Sequence, residues 1–98
     1  MKTVTVYSIV HTYVDADHGE FPPPSLEGSF LSLERAQEEM ERLVKEEVEE
    51  NNIPLCKENC CIESGPDYWE AYEDGYAAAC SSRYDIMSSE LVLEGDCV

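Results

Sequence analysis

Any chemistry in this chain would have to come from five cysteines, two histidines and a large excess of carboxylates. Cys56, Cys60 and Cys61 lie close together, and Cys80 and Cys97 follow farther along. A structural zinc site needs four tetrahedral ligands, usually from two Cys-x(2–4)-Cys or His-x(3–5)-His knuckles. The chain has one such knuckle, Cys56 to Cys60, so a metal site would have to be completed by Cys80 and a histidine. The same four cysteines, Cys56, Cys60, Cys61 and Cys80, could instead form a thiol-redox center. In an oxidizing compartment Cys56 or Cys60 could bridge to Cys80, and the odd count leaves at least one thiol over.

His11 falls within a run of strand-forming residues and reads as a structural histidine. His18 sits in the acidic loop DADHGE, which lacks the twelve-residue spacing and distal glutamate of a calcium loop. No Gly-x-Ser-x-Gly, no phosphate-binding Gly-Lys-Ser/Thr loop and no His-Glu-x-x-His is present. No cofactor and no enzymatic activity are expected. The form an enzyme would take is a cysteine nucleophile paired with His11.

Carboxylates are the dominant feature: 22 acids face 6 bases, a formal net charge of -16 over 98 residues. Such a charge disfavors nucleic acid and anionic membrane, and points to basic protein surfaces. The acids concentrate in EEVEENN, with Glu46, Glu47, Glu49 and Glu50 at the carboxyl end of a helix, where the backbone dipole disfavors negative charge. With Glu46 at 0°, Glu50 falls at about +40°, Glu49 at about -60° and Glu47 at about +100°, inside the apolar stripe. Burying an unpaired carboxylate is costly, so this turn is expected to project beyond the core with all four acids in water. Four charges over roughly 6 Å of helix axis approach the density of duplex DNA, about one per 1.7 Å.

The elements that must position these residues follow from composition. TVTVYSIVHTYV, Thr3 to Val14, is β-branched and aromatic, with both faces apolar, as in a central strand. An exposed, proline-rich connection leads to a short partner strand near Leu26 to Leu31. Ser32 is placed to cap a helix in which Leu33, Ala36, Met40, Leu43 and Val44 form one stripe, closed by Asn51, Asn52 and Pro54. The segment from Ile53 to Asp67 reads as irregular. Tyr68 to Glu73 and about Arg83 to Leu93 read as strands joined near Asp74-Gly75. Trp69 is expected in the core against the helix. Tyr68, Glu70 and Tyr72 share the other face, with Glu73 and Asp74 following. The sum is one α+β domain over residues 1–98, ordered β-β-α-β-β, with a mostly antiparallel sheet and one long amphipathic helix on one face. No run of residues is long and apolar enough to span a bilayer, and the amino terminus reads as a cytosolic strand rather than a signal peptide.

A small α+β domain with EEVEENN on a helix end, and further acids in DADHGE and YWEAYEDG, resembles the phage-encoded DNA-mimic inhibitors, including anti-CRISPR proteins. The GSFLSLERAQEEM junction and the YWEAYEDGY hairpin are similar to those of small proteins from phages and gut bacteria. The resemblance implies a cytoplasmic, non-enzymatic binding protein whose acids occupy a basic groove of a nucleic-acid-handling partner, a CRISPR nuclease complex being one such target. Glu46, Glu47, Glu49, Glu50, Glu70, Glu73 and Asp74 would supply charge, and Tyr68 and Tyr72 desolvated contact. A soluble accessory domain, dimerizing through a sheet edge or face, is the plain alternative.

Overall fold

The computed structural model describes residues 2–74 and 80–93. Its strands are β1 (Lys2–Asp15), β2 (Ser25–Phe30), β3 (Cys60–Gly65), β4 (Tyr68–Glu73) and β5 (Cys80–Leu93), with one helix, α1 (Leu33–Glu50), between β2 and β3. The strands form a single sheet in the order β2-β1-β5-β4-β3, every neighboring pair antiparallel. The α+β class and the helix on one face agree with the sequence.

The β-branched run expected from Thr3 to Val14 becomes β1, which pairs with β5 from Lys2↔Leu93 to Asp15↔Cys80. At its end Asp15 accepts a hydrogen bond from the backbone N–H of His18 at 3.3 Å, tightening a single 3₁₀ turn that Gly19 closes in the left-handed region (φ 69°). The three prolines are exposed, and β2 then returns along Tyr7 to His11 with a register irregularity between Ile9 and Val10. Ser32 caps α1 by accepting from the Arg35 N–H at 3.4 Å. Asn51 ends the helix in the left-handed conformation (φ 52°), its N–H reaching back to the carbonyls of Glu47 and Val48.

The element order gains one strand over the expected β-β-α-β-β, and one boundary shifts. The segment from Ile53 to Asp67, expected to be irregular, contains β3, which forms a hairpin with β4 around Pro66-Asp67. CCIESG shows no clean alternation, and as the outer strand it needs only one row of partners, so pairing rather than propensity decides its state. β5 also begins at Cys80 instead of Arg83, because β1 and β4 offer Ser81 and Ser82 partners on both sides. Asp74 is exposed, and the remainder of the expected Asp74-Gly75 turn lies outside the described residues.

Packing is one-sided. Ile9, Trp69, Ala71, Tyr84 and Ile86 rise from the sheet to meet Ala36 and Met40 of α1, with Leu43 and Val44 partly buried beside them. Leu33, at the start of the stripe, stays 40% exposed. Alternation along the strands sends Val4, Val6, Val10 and Val14 of β1, and Tyr68, Glu70 and Tyr72 of β4, to the opposite face. Beyond the rows shared with β2 and β4, Lys2–Val6 and Ser89–Leu93 continue as a two-stranded ribbon.

Candidate functional site

The end of α1 is built differently from the sequence expectation. Glu46, Glu49 and Glu50 are exposed, but Glu47 is only 7% exposed and joins the buried face of the helix. The helix does not outrun the sheet. The expected cost of burying Glu47 is offset because it is not unpaired: the Ser82 hydroxyl donates to its two carboxylate oxygens at 3.0 and 3.1 Å. Ser82, itself fully buried on β5, is also 2.8 Å from Nε2 of His11. Periodicity placed Glu47 on the correct face. The missing signal was a small hydroxyl 35 positions away, which only the sheet register brings opposite the helix.

The cluster extends through rings and charges. His11 stacks on Tyr84 with centroids 4.3 Å apart and planes 11° from parallel, and Tyr84 tilts against Trp69 at 6.2 Å. Nδ1 of His11 lies 3.8 Å from Oε1 of Glu27, and Nε2 lies 3.8 Å from Oε1 of Glu47. Burial pushes the Glu47 carboxyl above its usual range, against the lowering effect of Ser82. It pushes His11 below its own, against the Glu27 charge. Tyr84 is held well above the ordinary tyrosine range by burial and by Glu47. Where Glu47 is ionized and takes the single Ser82 proton, Nε2 of His11 is the donor to Ser82 Oγ.

Glu27, His11 and Ser82 thus follow one another as the members of a hydrolytic triad do, but their chemistry differs. Ser82 has no exposed surface, and its hydroxyl proton is given to Glu47 rather than to His11. The arrangement can hold a carboxylate in place beneath the helix. His11, read from the sequence as structural, is held here by Ser82 and stacked on Tyr84.

Above this cluster lies a cleft of about 210 Å³ lined by His11, Leu43, Glu46, Glu47, Glu50, Asn52 and Tyr84. Glu46 is bound by Nη1 of Arg42 at 3.0 Å, and Glu50 accepts from Nδ2 of Asn52 at 3.1 Å. The last helical turn contains no basic residue. The cleft therefore presents carboxylates at its rim and one at its base.

Comparison with protein-family models, with curated proteins and with solved structures finds no match for this chain. The site rests on its own geometry.

Of the remaining candidates, Tyr68, Glu70 and Tyr72 occupy the other side of the sheet. Tyr68, Glu70 and Tyr72 share the face of β4 turned away from α1, as expected, but each is half-buried, and Tyr68 and Glu70 are tied to Arg83 of β5. The Arg83 guanidinium lies over the Tyr68 ring at 4.9 Å, 3.5 Å from Glu70 and 2.9 Å from Asp85. Tyr72 is raised above its usual range, first by the Glu63 charge and then by burial. Glu73 lies at the end of β4, and Asn59 donates to the Asp74 carbonyl. Helix end and hairpin are therefore two surfaces, separated by the sheet.

Among the described residues the cysteines form no single cluster. Cys60 and Cys61 are successive on β3 and so point to opposite faces, which keeps both from joining Cys56 in one site. The Cys80 thiol donates to Oδ1 of Asp15 at 3.4 Å, beneath the loop that holds His18. Burial alone would raise the Asp15 carboxyl, but hydrogen bonds from His18 and Cys80 outweigh it and hold Asp15 low. Among the described residues no three His, Cys, Asp or Glu side chains are grouped to hold a metal ion, and no helix is long and apolar enough to cross a membrane.

Proposed function

We propose that this chain is a non-enzymatic acidic binding protein that occupies a basic, nucleic-acid-binding surface of a partner protein, with the end of α1 as its contact. The observation that carries this reading is the cleft in which Glu46, held by Arg42, and Glu50 flank the buried Glu47, with no basic residue in the last helical turn. Glu49 adds a further exposed carboxylate to the same turn. A lysine or arginine from the partner would find carboxylates on several sides and the Tyr84 edge beside it, while exposed acids farther up α1 steer the approach. The acids act as phosphate surrogates, so a nucleic-acid-handling effector such as a CRISPR nuclease complex is the class of partner that fits. The charge of -16 supports the same sign of partner.

The test is competition. A partner captured from lysate at low salt should be released by duplex DNA and by rising salt, since both compete for its basic surface. Glu46→Gln, Glu49→Gln and Glu50→Gln together should weaken capture by about tenfold or more without lowering stability, because all three are exposed. Capture indifferent to salt and DNA overturns the reading, and undiminished capture by the triple variant removes the helix end from the contact.

A further inference from the structure

The terminal ribbon is the part of the molecule least like the rest. Its ten residues, Lys2–Val6 and Ser89–Leu93, contain one lysine and one glutamate, so they sum to zero in a chain of net charge -16. Met87, Leu91 and Val92 are 59%, 50% and 53% exposed along β5. The Ile86 N–H donates to the Asp67 carbonyl at 2.8 Å, which fixes the side of β5 on which Ile86 exposes its backbone groups. Because these groups alternate, Ser88, Glu90 and Val92 aim theirs the same way, where no described strand stands. Natural sheets protect such edges with charges, prolines or bulges. From Met87 to Leu93 there is one charge, no proline and an unbroken register with β1.

We infer that this β5 edge pairs antiparallel with the same edge of a second copy, making a two-fold dimer through a continuous sheet. Charge decides the occupant. A basic partner finds nothing to pair with on the neutral strip, whereas a second copy meets there a strip that does not repel it. An antiparallel register about Leu91 sets Glu90 opposite Val92 of the partner copy, so no acid faces an acid. Hydrogen-bonding groups then meet hydrogen-bonding groups, and the exposed Leu91 side chains meet on the two-fold axis. The acids elsewhere on the two copies repel, so added salt should tighten this dimer, opposite to its effect on a basic partner.

Sedimentation equilibrium of the full chain, from about 1 µM to about 1 mM, tests this across weak and moderate affinities. The expected result is association toward twice the 11.1 kDa chain mass, favored by salt. Hydrogen exchange should show the Ser88, Glu90 and Val92 amides protected at high concentration and released on dilution, while those of Met87, Ser89 and Leu91, held by β1, remain protected throughout. Leu91→Lys, at a half-exposed position, should weaken association at least tenfold at low salt while leaving the monomer folded. A chain that stays monomeric over the whole range overturns the inference. So does a dimer in which the Ser88, Glu90 and Val92 amides exchange freely.

Discussion

Replacing Ser82 by Ala removes one oxygen from a fully buried position and tests how Glu47 is tolerated beneath the helix. The hydroxyl gives its proton to both Glu47 oxygens at 3.0 and 3.1 Å and stands 2.8 Å from His11 Nε2. A hydrogen bond to a charged group contributes roughly 1.5–3 kcal/mol, and one between neutral groups about 1 kcal/mol. The expected loss is therefore about 2–3 kcal/mol where Glu47 is ionized, a large share of the 5–15 kcal/mol typical of a small domain. Below the unfolded carboxyl value of 4.5, where Glu47 is protonated in both states, the loss should shrink toward about 1 kcal/mol. The sign follows from the direction of the shift. A raised folded value means that Glu47 favors the native state fully below 4.5 and loses that contribution as pH rises through the folded value. Ser82→Ala removes the interaction that limits the rise, so its cost must grow with pH. His11 runs the other way: its lowered value makes its contribution complete above 6.5 and lost as pH falls. Urea unfolding followed by the fluorescence of Trp69, the one tryptophan and a core residue, measures the effect at acid and alkaline pH. In a Glu47→Gln background the same substitution should cost less and show little pH dependence. Equal cost in both backgrounds, or a cost that does not vary with pH, would refute the account of Glu47 as an ionized group held by Ser82.

Other expectations come from single contacts. Asn51→Ala puts a Cβ-bearing residue without a local hydrogen-bonding side chain in the left-handed region and should cost about 1 kcal/mol, while Asn51→Gly should be neutral or stabilizing; thermal unfolding distinguishes them. Gly65→Ala would place a Cβ 2.5 Å from the Tyr68 ring, forcing the ring from beneath Arg83. A loss of about 1–3 kcal/mol is expected, largely relieved when Tyr68 is also replaced by Ala. Native-state thiol labeling should modify the exposed Cys56 quickly and the buried Cys80 only on unfolding, read by mass spectrometry of the labeled peptides. Protein purified without chelator should hold well under one equivalent of zinc, and a stoichiometric metal would show that the cysteines assemble in a way this fold does not.

The fold was legible where one segment's own pattern decided its state. The apolar period of α1, the Ser32 cap, the Asn51 stop and the β-branched run of β1 each carry their signal within a dozen residues or so. β3 was not legible, because CCIESG is made a strand by β4 and by little in its own composition. The site was harder for the same reason. The angular position of Glu47 was correct, and the conclusion drawn from it was not, because the chain gives no sign that Ser82 and His11 stand opposite it. Likewise Tyr68 and Glu70 share the expected face, but the arginine that restrains them lies on another strand.

The pairing of β1 with β5 joins positions as far apart as Lys2 and Leu93. During synthesis β1 must wait, with only β2 to protect one side, until nearly all of the described chain has been made. Closing so long a loop costs entropy before the pairing contributes stability, so the final step of folding should be slow compared with the local formation of α1 and the β3–β4 hairpin. Val4, Val6, Ile9 and Val10 stay uncovered during that delay. The strong like charge of the chain then has a kinetic value: it keeps unfinished copies apart while an apolar strand awaits its partner.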